Sequence, residues 1–141
     1  MGDYVPADLR RLVRSHFLNC CAYCKSSESL AVATFEIEHI LHRSQGGPTA
    51  FKNLCLACPS CNRHKSNRTV GLTNHGIETR LFHPQLDVWQ NHFEWSVDGT
   101  LIVAITDIGN ATIHSLKMNR PQLISLRALW VIVGKHPPDR A

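Results

Sequence analysis

Two pairs of cysteines stand at the spacing of metal-binding knuckles: Cys21 with Cys24 and Cys58 with Cys61, with 33 residues between Cys24 and Cys58. Four thiolates so arranged can close a tetrahedral zinc site with no position left for water, which makes the site structural. The insert is longer than a simple zinc ribbon needs, so the knuckles bracket something sizeable. Within it, or at its far edge, lie Glu38 and His39 in direct succession, Asn53 and Asn62. Cys20 and Cys55 are left over. Cys20 could replace Cys21, but only Cys21 gives the two-residue spacing to Cys24, and both spare thiols read as small buried residues. The opening segment MGDYVPADLRRLVRSHF carries charges throughout and lacks the apolar stretch of a signal peptide. A cytoplasmic location is therefore expected, and in a reducing compartment paired Cys-x2-Cys motifs hold metal rather than form disulfides.

The elements that must position these residues can be read from pattern. A chain of 141 residues with 43% hydrophobic content fits one domain, or one core with an appendage. No apolar run reaches the roughly 18 residues of a membrane span, so no membrane partner is expected. Pro6 to Phe17 has the spacing of an amphipathic helix, with Leu9, Leu12 and Phe17 on one side. Residues 33–38 read as a strand, Gly46-Gly47-Pro48 as a loop, residues 53–55 as the return strand and 60–67 as a short helix. Residues 69–83 are turn-rich and read as a linker. Beyond them, residues 92–97 and 100–106 flank Asp98-Gly99, a hairpin signal. A helix is expected from Pro121, with Leu123, Leu126, Trp130 and Val133 as its apolar stripe and Gly134 as its stop. The chain thus divides into residues 1–70, holding the chemistry-bearing residues, and 71–141, an extension expected to pack on the same core.

Charge is uneven. Residues 1–72 hold nine Lys and Arg against five acids, whereas residues 73–141 hold six of each. No acid occurs between Glu38 and Glu78, while Arg43, Lys52, Arg63, Lys65 and Arg68 all do. Such a basic interval suits a phosphate backbone.

Together, Glu38-His39-Ile40, Gly46-Gly47, Asn53-Leu54 and Cys58-x2-Cys61-Asn62-x2-Lys65 resemble the HNH endonuclease motif over residues 20–67. The resemblance implies an α+β fold: a ββα-metal finger bracketed by the zinc knuckles, with an N-terminal helix and a C-terminal β-hairpin plus helices. It implies His39 as general base, Asn53 as the middle motif residue, and Glu38 and Asn62 as ligands of a catalytic divalent ion. The motif intervals are 53 − 39 = 14 and 62 − 53 = 9 residues. Three positions depart from the common pattern: Glu38 stands for Asp, Asn62 for His, and His42 for a Pro. Asn in place of His removes a nitrogen ligand and favours a hard ion such as Mg²⁺, with Mn²⁺ as the related choice.

The chemistry implied is hydrolysis of a phosphodiester, leaving 5′-phosphate and 3′-hydroxyl ends. A neutral imidazole accepts a proton near neutral pH, and a divalent ion relieves charge at the phosphate and the departing oxygen. Asn53 can fix the loop or orient the imidazole. DNA is the partner implied, with RNA open to the same chemistry. Arg43, Lys52, Arg63, Lys65 and Arg68 are expected along its backbone. The competing reading is a non-catalytic zinc-stabilised module that binds nucleic acid, which has no need of His39, Asn53 and Asn62 together. The remaining histidines, His42 included, carry no expected role, and Trp89, Trp95 and Trp130 read as core residues rather than stacking platforms.

Overall fold

The structure, a computed structural model, describes residues 4–138. α1 (Ala7–His16) buries Val13 and carries Arg14 and His16 in its last turn. Arg14 donates to both carboxylate oxygens of Glu28, at 3.2 and 3.3 Å, and to the Phe35 carbonyl at 2.9 Å. Helix, first knuckle and entry to the first strand are thereby tied together. The knuckle docks on the sheet through Ala22 N–H, which donates to the Leu56 carbonyl at 2.7 Å.

β1 (Glu36–His39) pairs antiparallel with β2 (Leu54–Ala57), with Glu38 opposite Cys55 and His39 opposite Leu54. β2 is buried along its whole length, as its run of small and apolar residues demands. α2 (Pro59–Lys65) starts on Pro59, whose missing N–H is no loss in a first turn. Its cap is the Cys58 sulfur, which accepts from Cys61 N–H at 3.4 Å, so the second knuckle and the helix start are one device.

The stretch expected to be a linker is instead a hairpin: β3 (Val70–Leu72) pairs with β4 (Glu78–Arg80). Its turn is organised by Thr73, whose hydroxyl accepts from the His75 and Ile77 amides. The expected second hairpin forms as β5 (Phe93–Trp95) with β6 (Ile102–Ala104), and the Asp98 carboxylate ties the turn by accepting from Ser96 and Thr100. α3 (Asp107–Leu116) begins directly after the segment whose pattern reads as strand to Thr106. Thr106 is its N-cap, its hydroxyl accepting from Gly109 N–H at 3.1 Å. α4 (Pro121–Ile132) ends before Gly134, which takes a left-handed φ of 74°. Its buried face runs through Leu123, Arg127 and Trp130, while Leu126 and Val133 of the expected stripe are exposed.

The architecture is α+β: four helices with three two-stranded antiparallel sheets among the described residues. One hydrophobic cluster contains Tyr23, Leu54 and Leu56 from the N-terminal half and Phe82, Phe93, Ile102 and Leu116 from the C-terminal half. Polar ties cross the same seam. Trp89 Nε1 donates to the Tyr23 carbonyl at 2.9 Å, and Gln85 Nε2 donates to the carbonyls of Phe51 and Leu54, both at 2.9 Å. Trp89 and Trp130 are buried, and Trp95 stacks with Trp89 at 5.5 Å between ring centroids. No described helix is long and apolar enough to cross a membrane.

Candidate active site and metal centre

The sulfurs of Cys21, Cys24, Cys58 and Cys61 lie within 4.8 Å of one another, and all four residues are buried. Cys24 and Cys58 are 3.8 Å apart, sulfur to sulfur. Four sulfurs at about 2.3 Å from a tetrahedral zinc ion would be separated by roughly 3.8 Å. The cluster therefore fits a structural metal such as zinc. Within the cluster the sulfurs pull on one another in both directions: hydrogen bonding from Cys21 holds the Cys24 thiol well below its ordinary range, whereas burial pushes Cys21 up and hydrogen bonding from Cys21 pushes Cys61 up. Cys20 and Cys55 are buried apart from this cluster, as small core residues.

A depression of about 130 Å³ is lined by Ile37, Glu38, His39, His42, Arg43 and Asn62. β1 and α2 thus bring Glu38, His39 and Asn62 to one place. His39 is buried, and its Nε2 makes a 2.9 Å hydrogen bond with the Thr49 hydroxyl. That hydroxyl also accepts from Arg43 at 2.8 Å, so Thr49 joins the imidazole to a cation at the rim.

Asn53 is buried beneath the loop. Its Oδ1 accepts from Leu41 N–H at 2.9 Å, and its Nδ2 donates to the carbonyls of Leu41 and Pro48 at 3.0 and 2.9 Å. Each of these bonds fixes the segment after His39. Gly47 is required at the same spot, because a Cβ there would lie 1.7 Å from the Leu41 carbonyl oxygen.

Glu38 is more committed than the sequence suggests. It is buried; its Oε1 accepts from the Tyr23 hydroxyl at 2.9 Å and from the Cys55 thiol at 3.3 Å. Its Oε2 has no hydrogen-bond partner and faces Lys65 Nζ at 3.3 Å. Burial raises the carboxyl's pKa, and Lys65 opposes that rise. That oxygen already faces a cation, so a hard divalent ion at this pocket would share it with the ammonium. A second carboxylate, that of the exposed Glu36, accepts from Asn62 Nδ2 at 2.5 Å.

Lys65, expected on the phosphate backbone, is almost wholly buried. Its Nζ donates to the Ile40 carbonyl at 2.8 Å as well as facing Glu38. The ammonium is an internal brace between α2 and β1. Arg43, Lys52, Arg63 and Arg68 are exposed. Arg68 also donates to the carbonyls of His64 and Ser115, joining the ends of α2 and α3. This brace stands in a larger concavity of about 820 Å³ between β3, α2 and α3. Two helix C-termini face it, a polarity that disfavours phosphate.

Thr49 and Glu36 belong to the site although nothing in the sequence singles them out, and so does His42, which the sequence marks only as standing for a Pro. Threonine and a second acid on the strand carry no spacing signal, and His42 reads as an ordinary histidine. It caps the 3-10 turn Arg43–Gln45 through its Nδ1 while lining the pocket.

No curated protein and no solved structure matches the chain. Residues 21–68, from the first knuckle cysteine through the whole finger to Arg68, match the model of the family described as HNH endonuclease.

Proposed function

We propose that the chain is a metal-dependent endonuclease that hydrolyses phosphodiester bonds of DNA, leaving 5′-phosphate and 3′-hydroxyl ends. The observation that supports it most is the convergence of Glu38, His39 and Asn62 on one pocket inside the matched stretch. His39, held at Nε2 by Thr49, takes the proton from the attacking water. Asn53 holds the loop that carries the rim cation Arg43, keeping the imidazole's surroundings fixed. The Oδ1 of Asn62 and the Oε2 of Glu38, the latter shared with the Lys65 ammonium, are the oxygens that would hold a hard divalent ion, Mg²⁺ or Mn²⁺. Such an ion supplies charge relief at the phosphate. Arg43, Lys52 and Arg63 lie along the backbone, with Arg68 spent on bracing α2 against α3, and contacts of this kind position DNA without reading its sequence.

The test is nicking of supercoiled plasmid with Mg²⁺ or Mn²⁺. His39→Ala is expected to lower the rate by about 10²–10⁴-fold with DNA affinity retained. Glu38→Gln and Glu36→Gln compared in the same assay identify the metal-holding carboxylate, and the expected loss falls on Glu38→Gln. Equal nicking by wild type and His39→Ala removes His39 from the mechanism, and no nicking by the wild type leaves a zinc-stabilised nucleic-acid-binding module.

A further inference from the structure

The depression that holds Glu38, His39 and Asn62 measures about 130 Å³. Pockets that enclose a whole small molecule run to roughly 300–1,000 Å³, so this one has room for a phosphate and an ion but not for the nucleotides on either side. A strand cut here must run on across the neighbouring surface. Ile37 lines the depression, and it also lines a second concavity of about 490 Å³, together with Tyr4, Val5, Arg10, Arg14 and Glu36. Glu36 ties the two a second time, because it accepts from Asn62 Nδ2. The two concavities thus share β1 as a wall.

The other walls of this groove come from α1 and the segment before it, and they are fixed. Arg10 donates through Nη1 to the Val5 carbonyl at 2.6 Å, which holds that segment against the helix, and Val5 itself is buried. Arg14, one turn further along the same face, is spent on Glu28 and the Phe35 carbonyl. Arg10 is exposed and, among the described residues, forms no ion pair with a carboxylate. Tyr4 is 69% exposed, the only Tyr, Trp or Phe among the described residues that stands out in solvent. An aromatic ring on an anchored segment beside an uncompensated cation has the make-up of a site that stacks one base and neutralises its phosphate. Glu36 lines the same groove and repels phosphate, which leaves the backbone to Arg10.

We propose that this groove is a nucleotide subsite of the nuclease, in which Tyr4 stacks on an unpaired base flanking the scissile phosphate and Arg10 holds the phosphate attached to it. A base inside a duplex is already stacked and offers no face to a side chain. The subsite therefore selects DNA with an unpaired nucleotide beside the cut, such as a single strand, a flap or a gap. Neither residue touches the reacting atoms; both place the strand across the depression. The inference rests on the nuclease reading, from which it takes the scissile phosphate.

The experiment is fluorescence anisotropy on the zinc-loaded full chain without added Mg²⁺ or Mn²⁺, so that binding is read without cleavage. Two labelled oligonucleotides are compared: a blunt duplex, and the same duplex carrying a single-stranded extension. Tyr4→Ala is expected to weaken binding of the extended oligonucleotide about 5- to 100-fold, the worth of one base stacked on an aromatic ring, and to leave the blunt duplex unchanged. Tyr4→Trp should bind the extension at least as well as wild type. Arg10→Gln should flatten the logarithmic salt dependence for the extended oligonucleotide by about 0.7, the share of one phosphate on a single strand. A second readout is direct: with 5-iododeoxyuridine in the extension, irradiation should cross-link the strand to Tyr4, located by mass spectrometry. Equal binding of the extension by Tyr4→Ala and wild type, a loss shared by the blunt duplex, or a cross-link that maps elsewhere would overturn the proposal. A wild type that leaves supercoiled plasmid intact with Mg²⁺ defeats the nuclease reading and this assignment with it, whereas a nicking wild type whose binding ignores Tyr4 defeats the subsite alone.

Discussion

Gly47 and Gly109 meet the same steric problem in different halves of the chain. A Cβ at Gly47 would lie 1.7 Å from the Leu41 carbonyl oxygen, and one at Gly109 would lie 2.1 Å from the His92 carbonyl oxygen. Around Gly47, loop, strand and Asn53 amide all belong to one short stretch of sequence. Around Gly109, α3 is pressed against the backbone that leads into β5, and the constraint joins residues distant in the chain. The loop after His39 is held through interactions written close together. The C-terminal half is specified by contacts that only the folded chain creates.

The strongest way to break this contrast is Cys58→Ala. Structural zinc supplies apparent binding energies of about 10–16 kcal/mol in small zinc domains, comparable with the whole stability of a typical protein. Cys58→Ala should therefore lose its cooperative melt by circular dichroism, with amide exchange accelerated in both halves because they share one core. A variant that melts like wild type shows that the cysteines do not hold a metal that matters for folding.

Lys65→Met comes next. It leaves the buried Glu38 carboxylate without its cation, and breaking a buried pair by removing one partner costs about 3–5 kcal/mol. Denaturant unfolding should show that loss, and adding Glu38→Gln should recover most of it. DNA binding sharpens the point. Arg63→Ala should flatten the logarithmic salt dependence by about 0.9, the share of a single neutralised phosphate, whereas Lys65→Met should leave the slope unchanged. A flatter slope for Lys65→Met places its ammonium on the phosphate after all.

The two glycines give a paired test of intermediate size. Each Gly→Ala change forces a backbone shift, and overpacking of this kind costs roughly 1–3 kcal/mol. Gly47→Ala should slow nicking more than it lowers the melting temperature, while Gly109→Ala should lower the melting temperature and leave the rate per folded molecule intact. Equal effects on rate erase the distinction between the halves.

The smallest effect is expected at Asp87. It accepts from Arg80 at 2.7 and 3.0 Å, and this hydrogen bonding holds its carboxyl below the ordinary range. Since the folded pKa is depressed, the stabilisation is present above the unfolded carboxylate range and is lost as pH falls through the folded value. Arg80 is exposed, so no more than about 1 kcal/mol is at stake. The melting temperatures of wild type and Asp87→Asn should differ slightly at neutral pH and converge in acid.

The finger is legible in the sequence because its signals are local. The knuckle spacing, the turn at Gly46-Gly47 and the Asn53 and Asn62 positions can all be read within one segment, and β1, β2 and α2 form there. α3 is hidden because Gly109-Asn110 imitates a turn, whereas the glycine is present to admit the His92 carbonyl. The hairpin at 70–80 is masked by its turn residues, and Gly71 lies so close to Ser115 that a Cβ would be 2.2 Å from the hydroxyl oxygen. The inward course of Lys65 is invisible to composition, which counts charges and does not say which way they point. The same holds for Arg127, a cation occupying the buried face of α4 where pattern predicts a hydrophobic stripe.

The bond from Trp89 Nε1 to the Tyr23 carbonyl ties an indole to the short segment between Cys21 and Cys24, and Lys25 lies 5.6 Å from the centre of the same indole's ring. That makes Trp89 a built-in optical probe of the knuckle. Withdrawal of the metal should loosen this tie, admit water around the indole and shift its fluorescence to the red. Stopped-flow emission would then track metal release in real time without any added dye, and Trp89→Phe would silence the signal.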